Sequence, residues 1–540
     1  MAIFSRKQGI PNVCVKTSGH GKRFWPSFFH PALWLVVLLP LVSCTCRLPE
    51  NAVKTSEPAP VFPYYADGIH IPCNIAPLNF VLPDTVKKAF VGISSSSARK
   101  VFKTRQKAVI PMDFWKELLA NAKQGKQDTL TLEIIVQGIS GNHTAYPPLR
   151  WIVCPEPIDP YLSYRLVQPT AGAYRVLELR QRCLENFEET ILISNREMGG
   201  NCFNCHTYDQ GNADRMMVHL RKPSEGSLFF ENGNVQKVCL PEAEKALAQL
   251  PDSLRMPLHF VYAAWHPGGT YIAFCTNILG ITGYAAHRQY LNLLDSASNI
   301  LLYHPEKRSV SLPHALWTAA YEETWPAWSP DGQWLYFCRA PKTEPDTVAR
   351  YPEWGERVKH IHFDLCRIAF DAATGTFADS VQVVLASEPG RSYSVPRVHP
   401  NGKHLLLCRS LFNSVPYQSE GALLLLDLEN LRDAHSYPDG NPAAILNSAE
   451  SESWHEWSTN GHWVVFGSKR QDGHYTLPYI AYFNGTKFER PFVLPQKSPR
   501  FYQTNLRAFN LPTFVRNASP ITPRLAAQGK ESPALPIGIQ

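Results

Sequence analysis

Five consecutive residues of this chain have the types and spacing to do chemistry together: Cys202-Phe203-Asn204-Cys205-His206. Two thiols at positions i and i+3, with a histidine directly after the second, can capture the two vinyl groups of a haem as thioethers while the imidazole binds the iron. The motif therefore indicates one haem c, attached at Cys202 and Cys205 and ligated by His206.

Three other interpretations of the same residues stay open. A thioredoxin-like redox couple would need a βαβ context, which the sequence does not offer. A zinc site would need a second pair of ligands at suitable spacing, and no further Cys-x-x-Cys or His-x-x-x-His string occurs. A plain structural disulfide is the strongest alternative.

A haem iron has a second axial position, and the sequence leaves it undecided. Nearby residues that could fill it are a methionine, which would raise the potential, or a second histidine, which would usually lower it. The candidates are Met198, Met216, Met217 and His219. An open position that binds a small ligand is the other option.

The N-terminus has the composition of an export signal. Its first 23 residues carry basic residues and no acid, and a proline-broken apolar stretch follows from Phe24. This stretch ends in Leu41-Val42-Ser43-Cys44, which resembles a bacterial lipobox. We expect 1–44 to be a lipoprotein signal peptide, with Cys44 lipidated; an uncleaved membrane anchor is the alternative. Both place the rest of the chain in the periplasm or cell envelope.

The charge balance changes when the signal is removed. The chain has 53 Lys+Arg and 46 Asp+Glu, for a net charge of +7. Five of the basic residues lie in 1–44, which leaves 48 against 46, or +2. This composition gives no reason to expect a nucleic-acid partner or binding to an anionic membrane surface.

An internal repeat predicts the larger domain. Four segments align without gaps, each followed by an apolar run: Trp265-His266-Pro267-Gly268-Gly269, Trp328-Ser329-Pro330-Asp331-Gly332, Val398-His399-Pro400-Asn401-Gly402 and Trp457-Ser458-Thr459-Asn460-Gly461. Strand, tight turn and strand, repeated at this spacing, are typical of propeller blades. The fold class predicted is mainly β: a β-propeller of six blades, preceded by a small β-rich domain for which an immunoglobulin-like fold is one candidate.

The domain boundaries follow from composition and from the repeat. Residues 45–68 are rich in proline and are expected to be a linker. We place the small β-rich domain at 69–156, with one helix from Asp113 to Gln124. A connecting segment with the haem motif would span 157–219, the propeller 220–510, and a flexible tail 511–540.

The turn segments resemble the repeats of TolB, a periplasmic propeller protein of Gram-negative bacteria, most closely at 325–338. The chain is also similar to a narrower group of exported TolB-like proteins with Cys-x-x-Cys-His before the propeller. The shared residues include Pro157-Ile158-Asp159-Pro160-Tyr161 and Phe492-Val493-Leu494-Pro495-Gln496. This resemblance implies a haem-bearing propeller without a known reaction, and it favours His219 as second axial ligand, before Met217 and Met216.

Three functional classes remain at this point. The first is a single-haem electron carrier that docks with a protein redox partner and is held at a membrane by its lipid. The second is a haem enzyme or small-ligand sensor at the mouth of the propeller. The third is a TolB-like interaction scaffold whose haem is structural. Fold alone does not decide among them.

Overall fold

The computed structural model describes residues 46–168, 176–221, 224–240, 245, 248–256, 258–283, 291–342, 358–413, 420–430 and 441–539. The expected signal peptide and Cys44 lie outside these residues. No helix within the described ranges is long and apolar enough to cross a membrane.

The N-terminal domain is built on one seven-stranded sheet, accompanied by a two-stranded ribbon. Its strands are β1 (Val53–Lys54), β2 (Ile69–Pro72), β3 (Phe80–Val81), β4 (Lys88–Ser94), β5 (Arg99–Thr104), β6 (Lys107–Ala108), β7 (Asp128–Gln137), β8 (His143–Ala145) and β9 (Leu149–Cys154). β1 pairs with β8, and β2 with β9, in parallel. An immunoglobulin fold packs two antiparallel sheets, so the single mixed sheet is a different architecture from the candidate named above.

The predicted helix is present as two short pieces. They are α1 (Met112–Leu118) and α2 (Ala120–Lys123). α1 begins at Met112, one residue before the predicted start at Asp113, and its N-cap is Pro111. Trp115 is fully buried, and its indole N–H donates to the Ile75 carbonyl at 2.8 Å, which ties the helix to the sheet side of the domain.

The segment expected to be a linker is partly built into this domain. Val61 and Tyr65 are buried, and Phe62 bridges to Val81. Apolar side chains in 59–66 supply core area that a solvated tether would not bury. The structure therefore begins the folded domain well before residue 69.

The propeller consists of six sheets arranged as blades, which confirms the predicted fold class. The strands in chain order are β10 (Tyr161–Val167), β11 (Glu178–Cys183), β12 (Glu189–Ser194); β13 (Phe203–Asp209), β14 (Asn212–Leu220), β15 (Gly226–Glu231), β16 (Asn234–Cys239); β17 (Val261–Trp265), β18 (Ile272–Gly283), β19 (Leu291–His304), β20 (Ser309–Ser311); β21 (Tyr321–Trp328), β22 (Trp334–Pro341), β23 (Asp364–Asp371), β24 (Thr376–Phe377), β25 (Gln382–Leu385); β26 (Ser392–Val398), β27 (His404–Ser410), β28 (Ala422–Asp427); and β29 (Glu452–Trp457), β30 (Trp463–Ser468), β31 (Leu477–Tyr482), β32 (Phe492–Val493).

The C-terminal residues complete the ring. After α3 (Phe501–Thr504), β33 (Ala508–Val515) pairs antiparallel with β10 and becomes the inner strand of the first blade. Further on come α4 (Pro523–Glu531), β34 (Leu535–Pro536) and β35 (Gly538–Ile539); the two strands pair with β16 and β20. The segment 511–540, expected to be loose, is thus ordered up to residue 539 by these pairings.

The propeller also starts earlier than the repeat indicated. Residues 161–194 supply three strands of the first blade, and 203–239 form the second. The expected connecting segment 157–219 is therefore blade structure. These two blades lack the Trp-Ser-Pro-Asp-Gly string, and so the sequence repeat did not reveal them.

The tight turns predicted from the repeat are present, and side-chain hydrogen bonds stabilise them. In the fourth blade the Ser329 hydroxyl is hydrogen-bonded to Asp331 and accepts from the Trp334 backbone N–H at 3.0 Å. Gly332 closes the turn with φ of 72°, a conformation that glycine adopts without steric cost. In the sixth blade Ser458, Asn460 and Gly461 repeat this pattern.

Candidate haem-attachment site

The haem motif lies on an inner strand of the propeller. Cys202 directly precedes β13, the inner strand of the second blade, and Cys205 and His206 belong to that strand. Each inner strand runs toward the turn that follows it, so the Trp-Ser-Pro-Asp-Gly turns lie at one end of the ring. The motif starts at the opposite end.

All six inner strands break their register at equivalent places. A residue with positive φ stands at each break, which is the geometry of a β-bulge. These residues are Cys205, Tyr262, Trp325, Val395, Trp454 and Leu511. Non-glycine residues rarely adopt this conformation. Its presence in all six inner strands therefore shows that the bulge is a regular part of each blade. Cys205 occupies the bulge position of the second blade.

Aromatic side chains at these bulges contact one another near the axis. The Tyr262 and Trp325 rings stack with centroids 3.7 Å apart, and Trp325 meets Trp454 edge-on at 5.5 Å. Cys205 packs against Val261 and Cys275 of the third blade, with Tyr262 beside them. The second thiol of the motif therefore adjoins this aromatic group.

His206 is buried, at 6 % exposure, and its ring meets Tyr208 edge-on at 6.0 Å. Among the described residues, neither nitrogen of its imidazole has a hydrogen-bond partner. Burial lowers the pKa of His206 to about 3, with a further contribution from the nearby Arg165. A buried polar group without a partner is costly. A neutral imidazole of this kind has the protonation state that iron ligation requires.

His455 shows what a satisfied histidine looks like at the same place. It also directly follows the positive-φ residue of its inner strand, and it is buried. Its Nε2–H donates to the Leu406 carbonyl at 2.9 Å, and Cys408 Sγ lies 3.7 Å from Nδ1. The lack of partners at His206 is therefore not imposed by the bulge.

Within the described residues, neither cysteine of the motif forms a disulfide. Cys202 is partly exposed and Cys205 is buried, and burial raises the pKa of Cys202. The side chains of Cys205 and His206 point to different sides: Cys205 toward the third blade, and His206 toward Tyr208 and Arg165, the latter on β10 of the first blade.

The donor set fits a haem c in chemistry. It offers two thiols outside any disulfide and one neutral, unpartnered imidazole. Among the described residues, no group of three or more His, Cys, Asp and Glu side chains could hold a metal ion. A porphyrin supplies its own nitrogens and needs few protein ligands. Because Cys205 and His206 face different sides, attachment to one porphyrin requires the bulged segment 202–206 to rearrange locally.

The candidates for the second axial position separate onto the two faces of the second blade. Met198 and Met216 pack in the same buried cluster as Tyr208, on the side where His206 lies. Met217 packs instead against the third blade. His219 also faces that blade, and its ring centroid lies 5.7 Å from that of His259. The structure therefore does not bring His219 or Met217 toward His206.

His219 instead borders a cavity of about 160 Å³. His259, Ser227 and Cys239 also line it. Burial lowers the pKa of His219 to about 3, with the charge of His259 as a further cause. This cavity is separate from the surroundings of His206, which does not line it.

A larger cavity of about 400 Å³ opens at the turn end of the inner strands. All six inner strands line it, and it contains an ion pair of 2.9 Å between Arg397 and Glu456. Sequence reasoning missed these two residues. Each stands two places after the positive-φ residue of its strand, a position that becomes recognisable only once the bulges are known.

Fold and site together define the class of this protein: a six-bladed β-propeller with an N-terminal β domain and a Cys-x-x-Cys-His motif on an inner strand. No protein-family model and no curated protein matches the chain.

Several solved structures are similar in fold. TolB from Acinetobacter baumannii is 13% identical, with 71% of this chain and 79% of that chain covered and a TM-score of 0.39. Hydrazine synthase from Kuenenia stuttgartiensis is 10% identical, with 68% and 48% covered and a TM-score of 0.39. The propeller domain of the trilobed protease from Pyrococcus furiosus is 10% identical, with 68% and 94% covered and a TM-score of 0.29. The assignment of six blades rests on the sheets of this chain itself.

Proposed function

We propose that this protein carries one haem c, attached through Cys202 and Cys205 and ligated by His206, and exchanges electrons with a protein partner in the cell envelope. The observation that carries the proposal is His206: the histidine of a complete attachment motif, buried with both ring nitrogens unpartnered. When bound, such a haem supplies a one-electron redox couple.

The chemistry of attachment needs no further reactant. Each thiol adds across one vinyl group, so that a sulfur–carbon bond forms and the thiol hydrogen moves to the neighbouring vinyl carbon. Cys202 is the more accessible of the two thiols. His206 remains neutral through the physiological range because its pKa lies near 3, and it is ready to ligate iron without losing a proton.

Location in the envelope is part of the proposal. It rests on the export signal and on the predicted lipidation of Cys44, since covalent haem attachment takes place outside the cytoplasm. Similarity to TolB in the turn segments agrees with a periplasmic site. Labelling with a radioactive fatty acid tests the anchor: the native chain should be labelled and C44A should not.

The decisive experiment is to produce the chain together with the machinery of haem attachment. We expect a redox-active absorption spectrum and a mass increase of one haem. C202A and C205A should lose covalent attachment, whereas C338A, which removes a buried cysteine of the fourth blade, should keep it. A colourless protein without added mass would refute the haem proposal.

A second measurement separates a carrier from the other classes. In a carrier, the absorption spectrum of the reduced protein should not change when carbon monoxide or nitrite is added. Ready binding of either would indicate the enzyme or sensor class instead. If H206A loses haem ligation but captures a partner as well as the native chain does, the scaffold class is favoured.

A further inference from the structure

One face of the N-terminal domain concentrates unpaired positive charge. Lys87, Lys88, Lys103 and Arg105 line a shallow depression of about 430 Å³, together with Gln137. None of these four cations forms an ion pair within the described part of the chain. Lys88 lies within hydrogen-bonding reach of Lys103, and this contact, with the charge of Lys103, lowers the pKa of Lys88. Ammonium groups this close repel unless an anion lies between them.

Protection of a sheet edge does not explain the whole cluster. β5 is the edge strand of the sheet, and lysines on an edge discourage pairing with other chains. Lys88, however, lies on β4, which is paired on both sides by β5 and β7. A lysine on an interior strand does not protect a sheet edge. Edge protection therefore does not account for Lys88.

An exposed apolar residue stands next to this basic depression. Ile139 is 69 % exposed in the hairpin loop between β7 and β8. It stands two residues after Gln137, which lines the depression and whose carbonyl accepts the Lys87 backbone N–H at 3.0 Å. A bulky aliphatic side chain beside a group of lysines is the composition of surfaces that lie at a membrane interface.

The first described residues of the chain cross the same face. The charge of Cys46 acts to raise the pKa of Lys88, against the larger opposite effect of Lys103. Leu48 covers Gly92 of β4, and Arg47 between them is exposed. The polypeptide thus enters the folded domain beside the basic cluster.

We propose that this face of the N-terminal domain binds an anionic membrane surface. Lys87, Lys88, Lys103 and Arg105 would contact lipid phosphates while Ile139 inserts among the acyl chains. The net charge of the protein gives no hint of such a surface, because acidic residues elsewhere balance these cations. The proposal does not depend on a lipid at Cys44. If the chain is lipidated, binding through this face would hold it in a fixed orientation on the membrane.

The test uses residues 46–540, which cluster as one unit, without a lipid. Sedimentation with vesicles of phosphatidylcholine is compared with sedimentation when phosphatidylglycerol is added. We expect binding only to the anionic vesicles, and weaker binding as salt increases. K88E/K103E should weaken binding to the anionic vesicles by at least about tenfold, because it removes two lysines that are attracted to the surface and adds two charges that are repelled by it. I139S should weaken the binding that persists at high salt.

The matched control is K123E/K126E, which makes the same charge change on exposed lysines of the helical side. It should bind as the native chain does. Equal loss in both double variants, equal binding to both vesicle types, or binding to soluble polyphosphate without binding to vesicles would each overturn the proposal. Failure here leaves fatty-acid labelling of the full chain unaffected, so the two ideas are tested separately.

Discussion

Two histidines share one structural position and differ in their partners. His206 and His455 each follow a positive-φ residue on an inner strand, and both are buried. Within the part of the chain that the structure describes, the ring of His455 is hydrogen-bonded and that of His206 is not. Burying an imidazole without partners sacrifices its hydration, so His206 lowers the stability of the haem-free protein. A residue kept at such a cost is expected to gain its partner from a ligand.

The first prediction concerns the acid stability of the haem-free chain. Burial lowers the pKa values of both His206 and His455 to about 3, whereas an unfolded histidine titrates near 6.5. Between these values the unfolded chain binds protons that the folded chain does not, so stability falls as pH decreases from about 6.5 toward 3. Each histidine contributes about 1.4 kcal/mol per pH unit. Urea unfolding at several pH values measures the slope.

Two leucine variants separate the histidines. H206L should reduce the slope of unfolding free energy against pH by the contribution of one proton. It should leave stability at neutral pH unchanged or higher, because it replaces an unpartnered polar group. H455L should reduce the slope equally but lower stability at neutral pH by about 1–3 kcal/mol, since it strands the Leu406 carbonyl. An unchanged slope in H206L would show that His206 is not buried as described.

Among the secondary-structure elements, the inner strands determine how accessible the side chains of the haem motif are. The motif lies on a strand with a bulge, and Cys205 and His206 face different neighbours. Covalent attachment to a strand held between two blades requires access to both thiols, and Cys205 is 8 % exposed. We therefore expect attachment before the second blade is packed between its neighbours.

Closure of the ring depends on one strand from the far end of the chain. β33 supplies the inner strand of the first blade and also contacts β29 and β13. A chain that ends at Arg507 should fail to form a stable propeller, because blade one would lack its inner strand. A chain that ends at Ser532 keeps β33 and α4, loses only β34 and β35, and should fold with a modestly lower melting temperature.

Limited proteolysis and far-ultraviolet circular dichroism measure both truncations. Stable folding of the chain that ends at Arg507 would contradict the role of β33. The longer truncation serves as its control, since it also removes C-terminal residues but leaves every inner strand in place.

At the scale of the whole molecule, the two domains share a core. One buried cluster includes residues of the N-terminal domain and of the first and sixth blades. Trp463, fully buried in the sixth blade, donates to the Glu156 carbonyl at 3.1 Å, and Asn79 donates to the Gln496 carbonyl at 3.2 Å. The N-terminal domain is therefore part of the propeller's packing and not a separate unit on a tether.

A single unfolding transition is the expected result of this shared core. Differential scanning calorimetry of residues 46–540 should show one peak, and W463A should move it to lower temperature by removing about 3–5 kcal/mol of packing. Two separate peaks, with only one shifted in W463A, would show that the domains unfold independently.

Features that depend on neighbouring residues could be predicted from the amino-acid sequence. Ser329, Asp331 and Gly332 lie within one turn, so the turn could be predicted from the string, and repetition of that string indicated blades. The residue types of Cys202, Cys205 and His206 likewise defined a candidate haem site without any structure. The blades are confirmed by the sheets of the structure, and the haem site stays a prediction. Both inferences were possible because the residues concerned are neighbours in the chain.

The way in which distant segments combine is visible in the folded chain and could not be predicted from the sequence. The pairing of β10 with β33 joins residues about 350 positions apart, and it turned an expected connector and an expected tail into one blade. The faces of His206 and His219 depend on the bulge and on the neighbouring blades, so their spacing along the chain could not show that they point apart. A local pattern specifies a turn or a motif, whereas closure of a ring and the side to which a residue points are set by packing between segments that the sequence does not place next to each other.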